Sequence, residues 1–291
     1  MNATSLALAI LRGLGHAPLF VARSLGAVVG EMFYFISAER RNVALVNLRL
    51  CFPGMDEGAR RRLARAHFRR FAQALLDRGL IWWGSPEKIR RTVRWVGMEH
   101  YEQAARERPV ILLAPHFVGL DAGGILATLT WRLVSVYSRQ KNRVFDAAVL
   151  AGRSRFNDPV LLSRQDGIRG ALRGLQERLP FYYLPDMDFG PRDAIFVPFF
   201  GVPAATVTAT ARLAKLAGAA IVPCVTRMTR DGYEARLYPA WDDFPGEDVE
   251  VATRRITAFI EERILEMPAQ YLWTHKRFKT RPPGEARYYR H

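Results

Sequence analysis

His116 and Asp121 stand five residues apart in the stretch APHFVGLD, residues 114 to 121, directly after the apolar run Pro109-Val110-Ile111-Leu112-Leu113. A carboxylate on one imidazole nitrogen fixes the tautomer and favours the imidazolium, leaving the other nitrogen free to take a proton from a hydroxyl. On a continuous helix a five-residue step turns two side chains well apart. The pairing therefore requires His116 to sit just ahead of a helix, with the acid one turn on reaching its ring. No G-x-S-x-G elbow accompanies the pair, so the chemistry expected is direct attack by a substrate hydroxyl, without a covalent enzyme intermediate. A lone histidine is more often a satisfied structural residue, and the weight of this one comes from its place at the exit of a strand.

The elements that would position it are read from the apolar periodicity. From residue 93 onward, strand patterns at 109–115, 132–138, 180–185, 194–200 and 219–226 alternate with helical patterns at 119–130, 143–155, 166–178 and 206–217, and a helix at 250–266 comes after them. Such alternation predicts an α/β fold with a mostly parallel central sheet flanked by helices. Functional residues in such sheets gather where strands end and helices begin. Residues 58–83 read as a helix with an aliphatic and aromatic stripe and an arginine face of Arg60, Arg61, Arg62, Arg65, Arg69 and Arg70. That face suits either an anionic lipid surface or plain solvent. The expected organisation is an apolar membrane-anchoring segment over 1–36 and one domain over 37–291, helical over 37–92 and α/β over 93–291. No Pro/Gly-rich linker divides them.

The 291-residue chain carries 43 Lys and Arg against 28 Asp and Glu, a formal charge of +15, so a polyanionic partner is expected. With 49% apolar residues a sizeable core is available. Cys51 and Cys224 lack metal-type spacing and read as free thiols of a reducing compartment. Leu6 to Ile36 is largely apolar but interrupted by Arg12, His16, Arg23 and Glu31. A spanning helix wants about 20 apolar residues, and the charges point instead to an interfacial helix or a tilted span with snorkelling arginines, with a buried core helix as the bland alternative. A signal peptide fits poorly, since the first eleven residues hold no basic charge.

Three further stretches carry a family resemblance. RRNVALVNLRLCFP (Arg40 to Pro53), PDMDFGPRDAIFVPFFG (Pro185 to Gly201) and QYLWTHKRFKTRPPGE (Gln270 to Glu285) resemble the N-terminal, central and C-terminal motifs of the lipid A late acyltransferases, and His116 with Asp121 resembles their histidine–acid signature. The acid in that family is commonly Glu; here it is Asp, one methylene shorter. The resemblance implies acyl carrier protein as the thioester donor and a lipid A precursor as acceptor, attacked through the hydroxyl of a 3-hydroxyacyl chain. His116 would be the general base and Asp121 its orienting acid. It implies substrate-binding roles for Arg153 and Asp186, no cofactor, and a place on the cytoplasmic face of the bacterial inner membrane, against anionic lipid.

Each residue also has a plainer reading. Arg153 suits a helix C-terminus, and Asp186 and Asp188 suit a turn before Gly190-Pro191. Two carboxylates alone do not make a metal site, and none is expected. Thr206 and Thr208 read as helix-start residues. The segment Trp273 to Arg281 interleaves cations with aromatics, as at a lipid headgroup surface or on single-stranded nucleic acid. A nucleic-acid binder would leave the apolar N-terminus and the His–Asp pair idle, so no nucleic acid is expected. The remaining alternative is an acyltransferase acting on another lipid, such as a glycerophosphate or an aminolipid.

Overall fold

Five helices open the chain: α1 (Ala3–Leu14), α2 (Leu19–Ile36), α3 (Ala38–Cys51), α4 (Glu57–Trp83) and α5 (Pro86–Thr92). The structure is a computed structural model and describes residues 2–163 and 167–289. Asp56 starts α4 by accepting from the Ala59 backbone N–H, and Ser85 starts α5 in the same way through Lys88. The long α4 is the spine against which α2 lies. Gly26 and Gly30 make that approach possible: a Cβ on Gly30 would stand 2.4 Å from the Phe68 carbonyl oxygen, and one on Gly26 2.7 Å from the Gln73 Cα.

Two of the charges that interrupt the apolar N-terminal segment, Arg23 and Glu31, turn toward the protein, while Arg12 and His16 stay exposed. Arg23 is buried; its Nε lies 3.0 Å from Asp77 of α4 and its other nitrogens donate to the carbonyls of Thr229, Arg230 and Gly232. Asp77 also accepts from the Tyr233 hydroxyl at 2.6 Å. Glu31 accepts from Arg65 and Arg69 of α4. Arg23 is therefore a tether into the protein rather than a snorkelling residue. The outward face keeps Phe20, Val21, Leu25, Val28, Met32, Phe35 and Ile36 exposed. Among the described residues α2 is the one helix long and apolar enough to cross a membrane, and one face of it is committed to α4.

The remainder alternates strand and helix: β1 (Val93–Val96), α6 (Met98–Glu107), β2 (Val110–Leu113), α7 (Leu120–Thr130), β3 (Val134–Tyr137), α8 (Arg143–Arg153), β4 (Val160–Ser163), α9 (Gly167–Gln176), β5 (Phe181–Tyr183), β6 (Ala194–Phe199), β7 (Val202–Val207), α10 (Ala209–Ala217), β8 (Ala220–Met228), β9 (Tyr233–Leu237) and α11 (Val249–Glu266). Seven strands form one sheet in the order β1-β9-β8-β2-β5-β3-β4, parallel throughout except between β8 and β9. This is the mostly parallel, helix-flanked sheet that the alternation predicts. All four residues of the central β2 are buried, as a strand covered on both faces must be.

All five expected strands are present, and β1, β4, β7 and β9 are additional to them. The helix expected at 206–217 begins at Ala209, because Thr206 belongs to β7 and Thr208 stands just before α10. β6 and β7 form a separate hairpin whose two-residue loop, Phe200-Gly201, has both residues at positive φ, 51° and 78°. Apolar residues continue across that turn, and only Gly201, with Pro198 and Pro203 on either side, marks it in the sequence. Residue 166, the first of the expected 166–178 helix, lies outside the described residues.

Candidate active site

β2 and β5 are sheet neighbours, and the chain leaves both at their C-terminal ends. The Ala114 N–H donates to the Tyr183 carbonyl at 2.8 Å, so the pairing extends past β2 to the edge of the site. His116 comes two residues later, and Asp186 three residues beyond Tyr183. Asp186 accepts the His116 backbone N–H at 3.0 Å through one oxygen and faces His116 Nδ1 at 2.7 Å through the other. The C-terminal segment straps this corner from above: Leu272 N–H donates to the His116 carbonyl and Val118 N–H to the Gln270 carbonyl. Asp186 is almost wholly buried. Burial alone would push its carboxyl up; the charge of His116, the hydrogen bonds from His116 and the charge of Arg277 outweigh it and hold Asp186 below the ordinary carboxylate range. An ionised Asp186 accepts only, so Nδ1 carries the proton and Nε2 is the basic nitrogen.

Asp121 is placed differently from the expectation. It lies in the first turn of α7, and its carboxylate faces α4 and α8. Arg153 Nη2 stands 2.7 Å from one oxygen and Arg78 Nη2 2.6 Å from the other. The acid on the His116 ring is Asp186, and Asp121 is taken by two arginines. The physical reason is the helical step: once Gly119 caps α7, Asp121 projects away from the strand exit where His116 sits. Burial opposes ionisation of Asp121, but the charges and hydrogen bonds of Arg78 and Arg153 overcome it and hold the carboxyl well below its usual range. Asp121 in turn holds Arg153 above its usual value.

A cavity of about 1030 Å³ opens over these groups. His116, Asp121, Arg78 and Arg153 line it on one side; Phe71, Leu75, Val136, Phe181 and Leu213 supply apolar wall; Arg192, Asp193 and Arg212 stand at its edge. A narrower cavity of about 60 Å³ shares Leu120, Asp121, Val136, Arg153 and Leu184 with it and runs between α7 and the sheet toward Ile125 and Leu133. An imidazole, paired cations and hydrocarbon walls thus surround one space, which suits an amphiphile carrying both acyl chains and anionic groups.

The bacterial lipid A biosynthesis acyltransferase family model matches residues 1–280. The chain belongs to that family. It is 33% identical to a lipid A biosynthesis lauroyltransferase of Escherichia coli (strain K12), with 97% of this chain and 92% of the relative aligned. It is 33% identical to the myristoyltransferase of the same organism over 98% and 89% of the two chains, and 30% identical to its palmitoleoyltransferase over 91% and 87%. The protein is an acyltransferase.

The centre of the C-terminal motif of this acyltransferase is internal structure, while Lys279 and the residues from 283 to 285 reach the surface. Trp273 and Phe278 are fully buried. Arg277 is buried as well, donating to the Ala205 carbonyl and the Thr206 hydroxyl across the Phe199 ring. Its charge faces the Asp186 corner from behind. Asp188 accepts from Gly190 N–H, Thr280 N–H and the Thr280 hydroxyl, so its carboxylate is engaged in turn structure. His275 Nε2 accepts the Asp188 backbone N–H at 3.0 Å; burial, with the charges of His116 and Arg277, lowers its pKa to about 4 and keeps it neutral. Among the described residues no group of three or more His, Cys, Asp or Glu is placed to hold a metal ion. Cys51 and Cys224 are buried and unpaired, and burial pushes both thiols up. Arg78 has no local signal in the sequence. It is one of many arginines on α4, and only the docking of α4 beside α7 distinguishes it.

Proposed function

We propose that this acyltransferase moves a fatty acyl chain from acyl carrier protein to the hydroxyl of a 3-hydroxyacyl chain on a lipid A precursor. The observation that carries the reading is the buried Asp186 on His116 Nδ1 at the head of a cavity that is part cationic and part hydrocarbon. The acceptor hydroxyl oxygen attacks the thioester carbonyl carbon while its proton passes to His116 Nε2. The tetrahedral intermediate collapses, the C–S bond breaks, and the leaving thiolate takes that proton back as a thiol. Asp186 holds the Nδ1–H tautomer and stabilises the imidazolium between the two transfers. Arg153 and Arg78 supply positive charge to the same space.

The exposed apolar face of α2 would seat the enzyme on the cytoplasmic face of the inner membrane, where an acyl carrier protein donor and an amphiphilic acceptor meet. Anionic headgroups would complement the flanking arginines. The test is purified enzyme in detergent with acyl–acyl carrier protein and a lipid A precursor, read by mass spectrometry for one added acyl unit. His116→Ala should lower the rate by about 10²–10⁴-fold with unchanged melting. Transfer within about threefold of wild type would overturn the assignment.

A further inference from the structure

Asp121 is the acid that the histidine–acid signature offers as the partner of the base, yet in the folded chain it touches two arginines from two other helices. Each carboxylate oxygen takes one guanidinium, Arg153 Nη2 at 2.7 Å and Arg78 Nη2 at 2.6 Å. The Asp121 side chain is 12% exposed, while those of Arg78 and Arg153 are 26% and 34% exposed. The carboxylate is thus the deep member, and the guanidiniums remain partly open in the cavity they line. The Arg78 guanidinium carbon also lies over the Trp82 ring, 5.3 Å from its centroid. A guanidinium carries five N–H donors, so each arginine keeps several after binding one carboxylate oxygen. Two cations converge on one anion, and the cluster keeps a net positive charge facing the cavity. Without Asp121 the two guanidiniums would repel one another, with no shared anion to hold them side by side.

We propose that Asp121 is a positioning residue which clamps Arg78 and Arg153 into a paired anion-binding site for a substrate phosphate group. Planar forks suit phosphate oxygens bidentately, which a point charge does not. This role is separate from proton transfer: Asp186 serves the base and Asp121 serves the cations. The proposal rests on the acyl-transfer reading only for which phosphate is bound. Under that reading there are two sources, the phosphate on the acceptor's sugar and the phosphodiester in the donor's pantetheine arm.

Two measurements test it. The first needs no turnover: phosphorus NMR titration of inorganic pyrophosphate into the detergent-solubilised full chain. Wild type should bind, and Arg78→Ala, Arg153→Ala and Asp121→Asn should each weaken binding by about tenfold or more. Arg78→Lys should recover little and Asp121→Glu, which keeps the charge, should recover much. Equal binding by wild type and all three variants, in protein of unchanged melting temperature, overturns the site whatever reaction the enzyme catalyses. The second is steady-state kinetics. A rise of about 10- to 100-fold in KM for the acceptor alone assigns the site to the sugar phosphate, and the same rise for the donor alone assigns it to the pantetheine phosphodiester. A fall in kcat with both KM values unchanged overturns the proposal and returns Asp121 to the proton-transfer machinery.

Discussion

Asp186→Asn keeps the shape of the side chain and removes its charge, and the geometry of the His116 corner fixes the consequence. One Asp186 oxygen accepts the His116 backbone N–H at 3.0 Å and the other meets Nδ1 at 2.7 Å. An amide has a single acceptor oxygen. If that oxygen turns to Nδ1, the NH₂ faces the backbone N–H, donor against donor, in a buried corner. The satisfied arrangement leaves the oxygen on the backbone N–H and points the NH₂ at Nδ1. Nδ1 must then accept, which moves the ring proton to Nε2, the atom that receives the hydroxyl's proton in the proposed reaction. The base is disabled without being removed. A wrong tautomer of this kind costs about 10³–10⁴-fold in kcat, or about 4–5.5 kcal/mol of barrier. The assay is the rate at saturating donor and acceptor, with thermal melting and circular dichroism on the same sample. A folded Asp186→Asn enzyme with kcat within about threefold of wild type would refute the reasoning, because it would mean that the Nδ1 partner is not what sets the tautomer.

Two other perturbations probe different parts of the structure. Phe20, Val28 and Phe35 on the outer face of α2 are 72%, 58% and 61% exposed, so changing all three to Asp should leave the melting temperature nearly unchanged and release the protein from membranes. Wild type should resist high-salt washing, since apolar burial is not screened, and wild-type release by salt alone would refute apolar attachment. His67 is wholly buried, with Nδ1 on the Ala269 carbonyl at 3.3 Å, and burial lowers its pKa from the usual 6.5 to about 4. As pH falls below about 6.5 the unfolded chain takes up a proton that the folded chain refuses until about 4, so stability present at neutral pH is lost across that window. The loss from His67 is about 3 kcal/mol, and denaturant midpoints should fall from pH 7 to 4.5. His67→Phe should flatten that fall, and a midpoint independent of pH in wild type would refute it.

The α/β class, the helix over 58–83 and the strand leading to His116 are legible in the sequence because they depend on local periodicity. β2 is an unbroken apolar run and α4 repeats its stripe at helical spacing. Of the strands that periodicity does not reveal, β1 (VRWV) and β9 (YEARL) carry charged residues within the strand, and β7 shares its run with the helical pattern that leads into α10. The C-terminal motif reads as surface for a related reason. Interleaved cations and aromatics describe a wet interface when exposed, but Arg277 finds Ala205 and Thr206 for its donors and is buried with Trp273 and Phe278.

His116 can be chosen from the chain alone, because its place at a strand exit is a property of its own neighbourhood. Its partner cannot. Asp121 is five residues away in sequence, whereas Asp186 is 70 residues away and is brought to the ring because β5 inserts beside β2 in the sheet. Strand order is decided by which faces pack once the helices are placed, and no local pattern encodes it. The same holds for Arg78 and Arg153, which meet at Asp121 because α4 and α8 both flank α7. Residue types and their periodicity therefore determined the chemistry available and the layers that carry it. Which acid lies on the His116 ring and which lies between the two arginines was decided only when parallel strands distant in sequence became neighbours and a helix turned Asp121 away from the strand it follows.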